Sequence, residues 1–448
     1  MASYTPLCDF VKSYAASDAH RLHMPGHKGH AVLGCESLDI TEIDGADVLY
    51  HADGILAESQ SIAASLFGTR RTLYSAEGSS LSIRAMLYLA LMDAELRGHS
   101  RVVLTGRNAH KVFLSAAALL DAAVEWLYPA ARESLVSCTV TPDALDAALC
   151  ALPAPPAAVY ITSPDYLGNT ADISALADIC HRHGTLLLVD NAHGAYLHFL
   201  ETPVHPMDLG ADLCCDSAHK TLPVLTGGGY LHIGKNAPAH LCDCADAAMA
   251  LFASTSPSYL ILQSLDAANA YLAGEYRAQL AALHTALVPL RQRLRDHGCC
   301  LTGNEPSKLT LTPKSFGYTG TALAGRLIAQ RLIPEFYDPD HVVLMLTPQN
   351  TQDTLESLSD ALCAVPRLDA IQTLPPLLPR PRRICSARRA LLSPAVTLPV
   401  EQCIGRVLAQ PSVSCPPAVP VVVSGEEIDA DAVTAFLYYG IESCTVMK

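Results

Sequence analysis

TLLLVDNAHGAY (185–196) and, after a loop, ADLCCDSAHKTLPVLTGGG (211–229) are the residues whose reading decides the fold. The first is an apolar run ending on Asp190. The second is a shorter apolar run ending on Ser217-Ala218-His219-Lys220, ahead of a glycine turn. Uninterrupted apolar runs of this length read as strands covered on both faces. Such strands deliver their last polar residues to the carboxyl edge of a sheet, where ligands collect in open α/β folds. A lysine for an imine, a carboxylate for a ring nitrogen, and hydroxyl, imidazole and glycine donors for a phosphate are what pyridoxal 5'-phosphate requires. Asp190, Lys220, Ser217 and His219 supply those groups within one short span.

Upstream of this span the pattern repeats. TLYSA (72–76) reads as a strand, and Glu77-Gly78-Ser79-Ser80 then opens an amphipathic helix. A helix that starts on Gly-Ser-Ser offers amide N–H groups, hydroxyls and a positive dipole end to an anion, although serine is also an ordinary capping residue. Short strands follow at 101–105, 124–128 and 157–164, each paired with a helix. One of those helices begins near His110 and another ends at Gly184. The alternation implies βα units and a mostly parallel sheet with helices on both faces. It predicts that Gly78, His110, Asp165, Asp190 and Lys220 share the carboxyl rim.

Downstream, LFASTSPSYLILQSLDAANAYL (251–272) reads as a loop leading to one long helix that continues towards Arg295, and 307–365 as a small α+β unit. LPPLLPRPRRICSARR (374–389) is rich in proline and arginine and reads as a surface linker. A strand and a short helix end the chain. At the other end, HRLHMPGHKGH (20–30) places His23 and His27 four apart, but Pro25 and Gly26 between them argue for a shaped loop over a helix. The expected division is 1–56, an N-terminal arm and loop; 57–255, the cofactor-binding domain; 256–373, a linking helix and small α+β domain; 374–389, a linker; and 390–448, a C-terminal subdomain.

Composition narrows the function classes. A chain of 448 residues with 50% apolar content can bury more than one core. The net charge of -14 argues against a nucleic-acid partner, which needs a basic face, and suits a cationic substrate. No run reaches the roughly 18 apolar residues of a membrane span, and the N-terminus shows no secretory signal. Sixteen cysteines are scattered with no C-x-x-C pair, so no metal site is expected and a reducing cytoplasm is.

The combined motifs resemble the Orn/Lys/Arg decarboxylase family of fold type I pyridoxal-phosphate enzymes. They are HMPGHKG (23–29), EGSS (77–80), RNAHK (107–111), SPDYLGN (163–169), VDNAHGAY (189–196), SAHKTLPVLTGG (217–228), STSPSYLILQSLD (254–266) and CPPAVPVVVSGE (415–426). The resemblance implies a three-layer aspartate-aminotransferase-like domain with a small α+β C-terminal domain. It implies Lys220 as the Schiff-base residue, Asp190 on the ring nitrogen and His110 stacked on the ring. It also implies Gly78, Ser79, Ser80, Ser217 and His219 around the phosphate, with His193 beside the cofactor. The segment with Thr255 would reach the neighbouring subunit's site in a homodimer. Long family members carry an extra N-terminal domain that this sequence does not show.

The implied reaction is α-decarboxylation of a basic L-amino acid, arginine ahead of lysine or ornithine, giving agmatine or a diamine. His219 or Lys220 would return a proton to Cα. Glu77, Asp165, Glu426 and Glu427 are the candidate partners for the distal cation. Two departures stand out: Asn191 where the family usually has Glu, and Tyr196 where it often has His. The rival readings are an aminotransferase or lyase on the same fold, and a non-catalytic regulatory homologue.

Overall fold

A computed structural model describes residues 4–129, 137–414 and 420–448. The first part of the CPPAVP motif, residues 415–419, lies outside them. The chain forms two compact units, Met1–His99 with Ile173–Gln279, and Ser100–Asp172 with Leu280–Lys448. The alternating pattern yields seven strands: β1 (Arg71–Ser75), β2 (Val102–Gly106), β3 (Ala123–Leu127), β4 (Ala158–Thr162), β5 (Leu186–Asp190), β6 (Leu213–Asp216) and β7 (Gly229–Ile233).

In the first unit the strand order is β1-β7-β6-β5. β5 and β6 are parallel, with Asp190 opposite Cys215. β7 runs against both its neighbours, pairing Tyr230 with Asp216 on one side and with Tyr74 on the other. β1, β6 and β5 therefore share one direction, and their last residues, Ser75, Asp216 and Asp190, come to one edge. Every residue of β5, β6 and β7 is buried, which is why these strands read as unbroken apolar runs rather than alternating ones.

The helix Gly78–Arg97 packs against β5, β6 and β7. It buries Leu81, Met86, Leu87, Leu89 and Ala90 among others. It starts on Gly78 and stops at Gly98, both with positive φ. A left-handed residue after the last turn closes a helix with little steric penalty only when it is glycine.

The single long helix expected to continue towards Arg295 is two helices, Tyr259–Ala273 and Tyr276–Asp296. The break falls at Gly274, whose φ of -97° and ψ of -107° are far from helical. Glycine is the residue that tolerates such a backbone, and the apolar spacing on either side hid the interruption.

In the second unit β4, β2 and β3 are parallel. A four-stranded antiparallel sheet, ordered Phe336–Tyr337, Val342–Met345, Lys308–Leu311, Leu301–Thr302, forms the core of the small α+β part. Leu309, Leu311, Val342 and Leu344 from it meet Leu323 and Leu327 of one helix and Leu355, Leu358 and Leu362 of another. A further core gathers Val400, Leu408, Val421, Val422, Ile428, Phe436 and Val446. The proline-rich stretch 374–389 is tied down: Arg383 donates to Glu125 at 2.8 Å and Arg382 to Glu427 at 3.0 Å. Among the described residues no helix is long and apolar enough to cross a membrane.

Candidate active site

The first unit brings most of the sequence-selected residues to the carboxyl edge of β1, β6 and β5. Asp190 ends β5 and is buried. Its Oδ1 accepts from the Ala192 amide at 3.2 Å and the Cys215 thiol at 3.6 Å. Burial and the Asp190 carboxylate raise the Cys215 thiol well above its ordinary value, so it stays a neutral donor. Ser217 follows β6, and Lys220 lies in the one-turn helix Ala218–Thr221. Lys220 Nζ is 3.0 Å from His193 Nε2. His193 stands three residues beyond Asp190, so the turn after β5 carries both.

Two of the phosphate candidates meet between the turn after β6 and the helix Gly78–Arg97. The Glu77 side chain makes no capping bond to the helix Gly78–Arg97. Ser217 Oγ donates to Ser79 Oγ at 2.9 Å, and Ser80 is in the first turn of the same helix. His219 Nδ1 lies 2.8 Å from the Gly228 carbonyl. A carbonyl only accepts, so Nδ1 carries the hydrogen and Nε2 is the atom that can give or take a proton. Gly229 is required sterically: a Cβ there would lie 2.8 Å from Asp216 O and 3.0 Å from Gly78 C. Gly78 N donates to Gly227 O at 2.6 Å, closing the glycine turn over the start of the helix.

This donor set fits pyridoxal 5'-phosphate. An uncapped helix N-terminus, hydroxyls on two converging segments and a glycine-lined approach suit a phosphate dianion. A strand-end carboxylate suits a protonated ring nitrogen, and Lys220 is the amine for the aldehyde. Thr221 Oγ1, next to Lys220, is buried without a hydrogen-bond partner, one more polar atom suited to a ligand.

Thr255 is exposed in the loop before the helix Tyr259–Ala273. That loop is joined to the helix start through the Ser254 amide, which donates to Glu77 Oε1 at 2.6 Å. His110 belongs to the second unit. It is exposed there as the N-cap of the helix Lys111–Leu119, its Nδ1 accepting from the Val112 amide at 3.3 Å.

Of the four acids considered for a distal cation, three are committed elsewhere. Arg107 takes both Glu426 oxygens, at 2.8 and 2.7 Å. Asp165 is buried, accepting from Ser137 Oγ, from the Asn169 amide and from its Nδ2. Glu427 pairs with Arg382. Glu77 is exposed and shares a unit with Lys220.

Sequence reading missed a cluster directly behind these residues. Asp216, His205 and His232 are wholly buried, and both imidazole Nε2 atoms lie within 3.1 Å of Asp216 Oδ2. Asn191 Nδ2 donates to Asp216 Oδ1 at 2.7 Å. The signal was present: an acid closing a fully apolar strand, one residue before Ser217, must find partners. The cluster also accounts for Asn191. A glutamate there would set a second carboxylate against Asp216 in a fully buried site.

Comparison with known proteins agrees with the geometry. The sequence model of the Orn/Lys/Arg decarboxylase major domain matches residues 5–301. Arginine decarboxylase of Bacillus subtilis is 29% identical, over 96% of this chain and 92% of its own. Arginine decarboxylase of Halalkalibacterium halodurans is 28% identical, over 95% and 91%. The crystal structure of the Francisella novicida lysine decarboxylase superposes with a TM-score of 0.81 at 16% identity, over 99% of this chain and 81% of that one. The chain belongs to the Orn/Lys/Arg decarboxylase family, fold type I enzymes that use pyridoxal 5'-phosphate to decarboxylate basic amino acids.

Proposed function

We propose that this enzyme removes the α-carboxylate of L-arginine, releasing agmatine and carbon dioxide, with lysine and ornithine as poorer substrates. The observation that carries the reading is the pairing of Lys220 Nζ at 3.0 Å with Nε2 of His193, three residues after the strand-end Asp190. The preference for arginine is supported by the two curated relatives, both named arginine decarboxylase.

The proposed roles follow from the groups. His193 Nε2 accepts a proton from Lys220 Nζ, leaving a neutral amine able to bond the cofactor aldehyde. Asp190 would keep the ring nitrogen protonated, and His110 keeps the ring-stacking role that the family resemblance implies. The helix start at Gly78, with Ser79, Ser80, Ser217 and His219, holds the phosphate. When bound, pyridoxal 5'-phosphate supplies an electron sink for the pair left at Cα as carbon dioxide departs. His219 Nε2 or Lys220 Nζ then delivers a proton to Cα. Glu77 receives the distal cation of the substrate, and Thr255 serves the site of a second copy in a cytoplasmic homodimer.

The test is incubation of the purified enzyme and cofactor with arginine, lysine and ornithine, with detection of agmatine, cadaverine and putrescine. Agmatine is expected to form fastest. Lys220→Ala is expected to lower the rate roughly 10⁴-fold or more and to abolish the visible absorbance of the bound cofactor. A diamine formed faster than agmatine would overturn the arginine assignment. Unchanged turnover in Lys220→Ala would overturn the role of that lysine.

A further inference from the structure

The buried cluster around Asp216 has no part in the roles above, yet it touches the turn that carries two of them. Asp216 accepts from Asn191 Nδ2 at 2.7 Å and the Cys214 thiol at 3.8 Å on Oδ1, and from His205 Nε2 and His232 Nε2 at 3.0 and 3.1 Å on Oδ2. The tautomers are set from outside. The Met207 amide donates to His205 Nδ1 at 3.2 Å, which places that ring's hydrogen on Nε2. Thr72 Oγ1 is 2.8 Å from His232 Nδ1 and 2.8 Å from Thr69 Oγ1, so a hydroxyl chain feeds the second ring. A carboxylate flanked by two histidines can hold a metal ion, but His205 Nε2 here points a hydrogen, not a lone pair, at the carboxylate. The set is a nest of donors around one acceptor.

Asn191 is clamped between that acceptor and its own turn. A Cβ on Gly194 would fall 2.0 Å from Asn191 Oδ1, so the amide fills the space glycine leaves. The Asn191 amide donates to Cys215 O at 3.0 Å, and its carbonyl accepts from the Gly194 amide at 2.8 Å. Asp190 precedes Asn191, and His193, the partner of Lys220, lies within the same turn. On the other side Asp216 is bonded in sequence to Ser217, which meets Ser79.

We propose that Asp216, acting through Asn191, is a positioning residue that sets Asp190 and His193 against Ser217 and so determines how tightly the cofactor is held. This rests on the assignment of pyridoxal 5'-phosphate to the site. Asn191 is on Oδ1 of Asp216 and both imidazoles make their shorter contacts to Oδ2, so the charge can be moved across the Asn191 contact while both imidazoles keep an acceptor. In the double variant Asn191→Asp with Asp216→Asn, the new Asn amide donates to the new carboxylate, and its oxygen still receives both imidazoles. Asn191→Asp alone opposes two carboxylates. Asp216→Asn alone removes the charge and turns its NH₂ towards Asn191 Nδ2 or the imidazoles, unless Asn191 flips and gives up its present fit beside Gly194.

The experiment measures pyridoxal 5'-phosphate dissociation by titration of the apo-enzyme, the visible spectrum of the holoenzyme, and thermal unfolding of both forms. Each single variant is expected to weaken the cofactor tenfold or more and to shift the visible band, and the double variant to return affinity to within about twofold of wild type. Should Asp216→Asn fail to fold, Asn191→Ala tests the same link from the other side, because Asp216 then keeps both imidazoles while the turn loses its clamp. It too is expected to weaken the cofactor tenfold. Single variants that lower apo-protein stability but leave cofactor affinity and spectrum unchanged would overturn the proposal, as would a double variant no better than the singles. Wild-type protein that takes up no cofactor would remove the function reading itself, and this proposal with it.

Discussion

Two buried carboxylates, one in each unit, solve the same problem in different ways. Glu426 is met by a cation: Arg107 forks onto both its oxygens, donates to Pro420 O and Val421 O, and places its guanidinium 4.6 Å from the Trp126 ring centre. Asp216 is met by an amide and two imidazoles. Burial alone would raise the Asp216 carboxyl, but His205 and His232 outweigh it and hold it below the ordinary range. Burial in turn lowers His232, although its bond to Asp216 works the other way. The first arrangement is close to neutral and fastens the strand Pro420–Val423, so it serves structure. The second retains a negative charge in the core, bonded through Asn191 to the turn that carries Asp190 and His193. Neutral donors leave the charge available to act on its surroundings, where a paired cation would cancel it.

The sharpest way to break this contrast is to remove the cation. Arg107→Met should leave Glu426 buried and unpaired and cost about 3–5 kcal/mol of folding stability, read by urea unfolding of the apo-protein. A loss under about 1 kcal/mol would mean Glu426 simply takes up a proton.

Acid should separate the two next. Because folded Asp216 titrates below its unfolded value, its contribution is complete above about pH 4 and is lost as pH falls further. His232, lowered in the folded state, adds a loss that begins where the unfolded imidazole protonates, near pH 6.5. Both act in one direction, since the unfolded chain binds more protons. Between pH 5 and pH 3.5, wild type should lose about 0.7 kcal/mol through Asp216 that Asp216→Asn does not lose. Parallel pH profiles for the two proteins would show that Asp216 is not ionised in the fold.

The smallest effect is expected at a third kind of ion pair. Arg383 and Glu125 meet at 2.8 Å, with side chains 54% and 43% exposed. Arg383→Ala should cost only about 0.5 kcal/mol and should fade in high salt. A loss comparable to that of Arg107→Met would show that 374–389 is fastened through this pair and not through its packing.

Much of the candidate site's local structure was legible in the sequence. β5 and β6 could be read because strands buried on both faces leave a one-dimensional trace, an apolar run that stops at the sheet edge. Lys220, Ser217 and His219 could be read because they lie within four consecutive residues. The break at Gly274 was not legible, because one glycine in an apolar helical pattern is usually tolerated. Arg107 and Glu426 meet across 319 positions, and Asp216 draws on residues 11, 16 and 25 positions away. No local pattern marks such partners.

By itself the sequence determined the strand that ends at Asp190, the lysine turn that ends at Lys220, and the helix that starts at Gly78. Those follow from local periodicity, chain direction and glycine geometry. Only the tertiary structure decided which donors each buried acid would receive. Hydrogen bonds and ion pairs depend on angles and distances of a few ångströms between segments far apart in the chain. For that reason the tertiary structure alone shows Glu426 committed to Arg107, and Asn191 as the residue that suits Asp216.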